Sequence, residues 1–169
     1  MFGLVLGYAL IKKLSNKNKE KVVDKIIDPA HPAHSNYLIS TNGKKAEPVE
    51  RPLVPLFQDT IDTLLSHLEG HYNERCGFIT EDMQEVVPVY NSHENPHSNF
   101  YMDTEDAQKN IDYIYEDRQT SILGIWHTHP NGYPWPSPRD IIGWPNQKLG
   151  WRYFLVSRGN VTEWRLVNG

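Results

Sequence analysis

The chain has 169 residues but only one cysteine, Cys76, which rules out an intramolecular disulfide framework and fits a reducing, cytoplasmic compartment. It contains neither a Cys-x-x-Cys pair nor a glycine-rich phosphate loop. No apolar run reaches the roughly 20 residues that a helical membrane span needs. The apolar opening, MFGLVLGYALI, is too short for one, and it lacks the basic leader and small-residue cleavage site of a secretory signal. Firm membrane insertion is therefore not expected. A net charge of -4 gives no general attraction to phosphate, which argues against nucleic acid as a partner. No internal repeat is visible. Apolar and charged fractions of 38% and 22% suit one globular domain with a tail.

The tail is read as residues 1–52. Val22, Val23, Ile26 and Ile27 recur at helical spacing among lysines, a pattern for a surface helix or an arm that docks a partner. A proline-rich linker follows, with a weak hairpin signal at Asn42-Gly43. Its His31 and His34 have no acidic or cysteine neighbours and are read as solvated. The compact domain is expected over 53–169. Leu56, Ile61, Leu64, Leu65 and Leu68 share one helical face that ends near Gly70. CGFIT and EVVPVYN read as strands, and 104–118 as a helix capped by Asp103 or Thr104. SILGIW reads as a buried strand. RYFLVSR and VTEWRLV read as a hairpin turning at Gly159-Asn160. This order predicts an α/β fold with helices on a mixed sheet.

The chemistry is concentrated in residues 126–140, WHTHPNGYPWPSPRD. His127 and His129 leave the strand two residues apart, so both imidazoles face the same side. Pro130 and the NGYPWP run make a stiff loop. Ser137-Pro138 then starts a helix, with serine as cap and proline at the first position. Ser-x-x-Asp is also a capping box, which competes with a metal-binding reading of Asp140. The full combination at these offsets arises by chance on the order of once in 10⁵ chains of this length. Two nitrogens, one carboxylate and an open position describe a catalytic zinc site, so one Zn2+ per chain is expected on His127, His129 and Asp140. Such an ion brings the pKa of bound water to about 7.

His-x-His, seven residues beginning with Pro130, then Ser-x-x-Asp: this pattern resembles the signature of the JAMM (MPN+) zinc metalloproteases. Glu74-Arg75-Cys76-Gly77-Phe78-Ile79 is similar to the family's Glu-x-Cys-Gly-hydrophobic element. The resemblance runs from about Leu53 to the C-terminus. It implies a JAB/MPN (cytidine-deaminase-like) mixed sheet flanked by helices, with an N-terminal extension. It also implies hydrolysis of a peptide or isopeptide bond, with Glu74 as general base and Ser137 as hydrogen-bond donor to the oxyanion. Asn91 to Asp103, NSHENPHSNFYMD, looks like the Asn-rich loop and Phe-x-x-Asp element of the prokaryotic JAB-type domains, including those of phage tail-assembly proteins. That resemblance points to bacterial or phage-infected host cytoplasm, with virion association as an alternative. It allows a ubiquitin-like protein, a phage protein or a cell-wall peptide as substrate.

A structural tail or assembly protein that uses zinc only to hold its loop is the competing class. A zinc deaminase would need His-x-Glu and Pro-Cys-x-x-Cys elements, which are absent. Cys76, followed by Gly77 and an apolar strand, reads as core packing. His93 and His97 read as solvent-facing. Trp126, Tyr133, Trp135 and Trp144 are divided between packing the stiff loop and flanking a substrate groove.

Overall fold

The computed structural model describes residues 38–39, 43–145 and 149–167. The apolar opening, the Val22–Ile27 helix and the two linker histidines lie outside the described residues. Seven strands form one sheet: β1 (Leu38–Ile39), β2 (Lys45–Pro48), β3 (Cys76–Thr80), β4 (Val86–Val89), β5 (Ile122–Thr128), β6 (Arg152–Ser157) and β7 (Asn160–Val167). Their spatial order is β1-β2-β7-β6-β5-β3-β4. Neighbouring strands run antiparallel except β5 and β6, which are parallel. A parallel pair needs a crossover, and it is supplied here by the segment that carries helix α3 (Pro138–Gly143).

Two helices complete the described domain, α1 (Gln58–Ser66) and α2 (Thr104–Asp112). Side-chain alternation along the strands makes two apolar layers. On one face Phe78, Ile125, Tyr153 and Leu155 pack with Ala107 and Ile111 of α2 and Ile141 of α3. On the other, Ile79, Trp126, Phe154 and Val156 receive Leu64 of α1, with Leu56, Leu65 and Leu68 packed partly against them. This is the mixed sheet flanked by helices that the sequence pattern predicted. Among the described residues no helix is long and apolar enough to cross a membrane.

Three details differ from the sequence reading. The helix over 104–118 keeps regular geometry only to Asp112. Tyr113–Asp117 forms a π-helical turn, closed by the Arg118 N–H donating to the Tyr113 carbonyl at 2.9 Å. From its two ends the Tyr113 hydroxyl and the Arg118 guanidinium both reach the Glu85 carboxylate. The β6–β7 turn falls one residue earlier than expected. Ser157 pairs with Asn160, while Arg158 and Gly159 have φ of +42° and +72°, the two positive values a type I′ turn requires. Finally, the sheet extends back past Leu53. β2 pairs residue by residue with β7, buries Ala46 beside Trp164 and Leu166, and forms the hairpin with β1 around Gly43.

Candidate metal centre

β5 brings the two histidines into place. His127 is its penultimate residue, opposite Cys76 of β3 and Leu155 of β6. His129 follows the strand's end, where its N–H donates to the Val156 carbonyl at 2.9 Å and continues the ladder. A turn then closes from the Gly132 N–H to the His129 carbonyl at 2.9 Å. Gly132 has φ +78°, and an added Cβ would lie 2.4 Å from Nε of Arg158. At the start of α3 the capping box is complete. The Asp140 N–H donates to Ser137 Oγ at 3.1 Å, and the Ser137 N–H donates to Asp140 Oδ2 at 2.7 Å.

The same Oδ2 lies 3.1 Å from Nε2 of His127 and 3.1 Å from Nε2 of His129, and those nitrogens are 3.1 Å apart. All three residues are buried. Four ligands at about 2.05 Å around tetrahedral zinc lie about 3.3 Å from one another, so this triangle has nearly the spacing of one tetrahedral face. The donor chemistry fits too. Nδ1 of His129 is 2.8 Å from the Tyr133 carbonyl, an acceptor, so Nδ1 carries a proton and Nε2 of the neutral ring offers its lone pair to the centre. Three electron-pair donors converging on one point repel each other unless a cation lies among them. His127, His129 and Asp140 could therefore hold a metal ion.

The same crowding sets the electrostatics of the three side chains. Burial opposes charge on His129, but the hydrogen bond and charge of Asp140, with further help from Glu74, raise its pKa to about 9. Burial dominates at His127 and lowers it. At Asp140 burial works against ionisation, yet the charges and hydrogen bonds of both histidines hold its carboxyl well below the usual range. One proton shared in the triangle substitutes for missing positive charge.

Glu74 lies beside this set rather than in it. Its Oε1 is 4.0 Å from Nε2 of His129, and its Oε2 is buried without a hydrogen-bond partner. Burial first, then the charge of Asp140, push its carboxyl up to about 8, against the pull of His129. The segment before β3 holds it there. The Arg75 N–H donates to Thr128 Oγ1 and the Thr128 N–H donates back to the Arg75 carbonyl, each at 2.9 Å. Thr128, the middle residue of His-x-His, thus ties the segment carrying Glu74 to the strand carrying His127. Nothing in the sequence singled it out, because its task is a backbone contact across 53 positions.

Other singled-out residues are placed as follows. Cys76 is buried and its thiol donates to the Val89 carbonyl at 3.5 Å. Burial, reinforced by Glu74 and Asp106, pushes its pKa well up, which suits packing and not nucleophilic attack. His93 accepts from the Asn95 N–H at 2.9 Å and is half-buried, and His97 is exposed; neither belongs to the ligand set. Trp126 is buried against α1, and Trp144 stacks on Tyr153 with centroids 4.5 Å apart, so both are core residues. Tyr133 and Trp135 are half-buried neighbours on the stiff loop. Phe100, the first residue of the Phe-x-x-Asp element, stacks on the His127 ring at 4.6 Å.

Residues 57–167 match the family described as prokaryotic homologs of the JAB domain. The chain belongs to that family. A JAB-family member of this kind is similar to a Thermus thermophilus protein named "Probable TtuB-protein conjugate cleaving protease", at 35% identity over 90 residues. The aligned region is 52% of this chain and 57% of that protein, so the chain spans little more than half its relative's length. Protein DSY2949 of Desulfitobacterium hafniense, a solution structure, aligns with a TM-score of 0.48 at 20% identity, covering 63% of this chain and 77% of that one.

Proposed function

We propose that this JAB-domain protein hydrolyses the amide bond that joins a ubiquitin-like protein to its target. The observation that carries the reading is a buried carboxylate, Glu74, with one oxygen unpartnered, set beside a three-donor triangle that excludes it. A site that only stapled a loop would gain nothing from that carboxylate, whose burial is costly. The T. thermophilus relative's name supports a protein conjugate as substrate over a cell-wall peptide. A setting in phage tail assembly or cell-wall processing draws support only from the resemblance of the Asn91–Asp103 segment.

His127, His129 and Asp140 would hold zinc, which supplies a Lewis acid for the scissile carbonyl and a water of pKa about 7. Glu74 takes a proton from the attacking water and returns it to the leaving amine, a transfer that typically contributes 10²–10⁴-fold. Its raised pKa in the metal-free protein marks a carboxyl whose environment lets it hold a proton at neutral pH. Ser137 Oγ accepts from the Asp140 N–H, so its own hydroxyl proton remains to be donated to the oxyanion. His129 is kept in one tautomer by the Tyr133 carbonyl.

The test is incubation of the purified zinc-loaded chain with a ubiquitin-like protein joined through its C-terminus to a lysine of a carrier protein, with products read by mass spectrometry. Release of the free modifier that stops with chelator is the expected result. Glu74→Gln should retain zinc and lose at least about 10²-fold in rate. A variant with full zinc and undiminished cleavage would remove Glu74 from the mechanism. No cleavage by the zinc-loaded wild type would leave the site a structural one, as in an assembly protein.

A further inference from the structure

We infer that Asn91 is a positioning residue for Glu74, an assignment that rests on Glu74 being the base. Asn91 follows β4 and forms an isolated bridge with Met102. Its side-chain amide has two donor hydrogens and two acceptor lone pairs, and all four are used. Nδ2 donates to the Glu74 carbonyl at 2.8 Å and to the Asn99 carbonyl at 3.0 Å. Oδ1 accepts from the N–H groups of His93 at 3.1 Å and Tyr101 at 3.0 Å. One amide thus closes the 91–101 loop on itself and ties it to the residue before Arg75.

The loop answers from its other side. The Pro96 carbonyl accepts the Glu74 N–H at 2.7 Å. Glu74 lies two positions before β3 and has no partner in the sheet ladder. Both of its backbone polar groups end instead on this loop, one of them on the Asn91 side chain itself. The loop also places Phe100 on the ring of His127. Base and ligand are therefore spaced by one element, and Asn91 is the point where that element is fastened.

A base placed about 1 Å wrong costs rate without necessarily costing affinity, because substrate binding does not need its proton transfer. Loss of a supporting hydrogen bond of this kind costs about 10–100-fold in comparable sites. Asn91→Asp separates positioning from loop building. It keeps an acceptor for His93 and Tyr101 but sets a carboxylate oxygen against the Glu74 carbonyl. Asn91→Ala removes both functions.

The experiment uses the zinc-loaded full chain, the conjugate described above and backbone amide exchange followed by NMR. For both variants we expect one zinc per chain, kcat lower by about 10-fold or more, and KM changed by less than about three-fold. The Glu74 amide should exchange at least about ten times faster, while Cys76–Thr80 amides stay within about two-fold of wild type. Wild-type kcat and wild-type Glu74 exchange in Asn91→Asp, with only Asn91→Ala impaired, would make Asn91 a loop-builder and overturn the inference. Failure of both variants to fold would do the same. Should the wild type not cleave the conjugate, the proposed reaction fails, and Glu74 exchange alone then decides whether Asn91 holds that residue.

Discussion

Replacing Glu74 by glutamine should make the metal-free protein more stable at pH 8 and less stable, by about 1–3 kcal/mol, at pH 4.5. In the unfolded chain the carboxyl ionises near its ordinary value of 4.5; in the fold, burial and Asp140 raise it to about 8. Between those values the folded state keeps a proton that the unfolded state has released. Stability contributed by this group is thus present below pH 4.5 and is lost as pH rises through the folded value. At 1.36 kcal/mol per unit, the full cost of ionising the buried carboxylate is on the order of 4–5 kcal/mol. The variant escapes that cost but buries a carboxamide beside an orphaned position, which returns about 1–3 kcal/mol. A net gain of about 1–4 kcal/mol remains at pH 8, or roughly 2–16 °C in Tm for a domain of this size. Thermal or urea unfolding of both proteins in chelator, at both pH values, measures it; groups remote from Glu74 cancel in the comparison, while His129 loses the part of its raised pKa that Glu74 supports. A difference between variant and wild type that stays flat with pH, or favours wild type at pH 8, would refute the account of Glu74 as a buried, destabilising carboxylate.

Three further outcomes are expected. His127→Ala should abolish zinc uptake by elemental analysis after reconstitution, while His31→Ala keeps one zinc per chain. Gly77→Ala should destabilise by roughly 2–3 kcal/mol in urea unfolding, because its Cβ would come within 2.2 Å of the Val87 carbonyl and 3.0 Å of Trp126 Nε1. Removal of residues 1–52 should lower stability measurably, since it strips β2 from β7 and uncovers Trp164 and Leu166. It also removes Lys44, whose ammonium donates to the Ile142 carbonyl at 3.1 Å at the end of the helix carrying Asp140.

The clustering of His127, His129 and Asp140 was legible because its information is local. His127, His129 and Asp140 fall within 14 positions, and strand exit, stiff loop and helix start each have their own residue signals. Glu74 was different: no spacing links it to His127, and only the family resemblance pointed there. What joins them physically is the β3–β5 register, Cys76 opposite His127, which a single sequence does not print. Thr128, and the hydrogen-bonding role of Asn91 within its Asn-rich loop, were missed for a related reason. Their side chains serve backbone groups of distant segments, and backbone groups carry no sequence signature. β2 was masked by its composition. KAEP contains a proline and two charges, as a linker does, and it becomes a strand only because β7 offers a paired edge.

The capping box and the metal-binding pattern competed as readings of one motif, yet the geometry makes them interdependent. Asp140 Oδ2 accepts the Ser137 N–H at 2.7 Å and faces both imidazoles at 3.1 Å. A carboxylate oxygen has lone pairs enough for both uses, and the backbone donor fixes which oxygen turns inward. The cap also fixes Ser137. Its Oγ accepts the Asp140 N–H with one lone pair, and its proton stays free to be offered outward. One local hydrogen-bond exchange, normally worth about 1 kcal/mol to a helix end, therefore orients the Asp140 carboxylate and the Ser137 hydroxyl together. The six residues of the short helix suffice for this, because both side chains belong to its first turn. The serine and aspartate of Ser-x-x-Asp are spaced by the capping geometry, and the cluster that could hold a metal ion uses that same spacing.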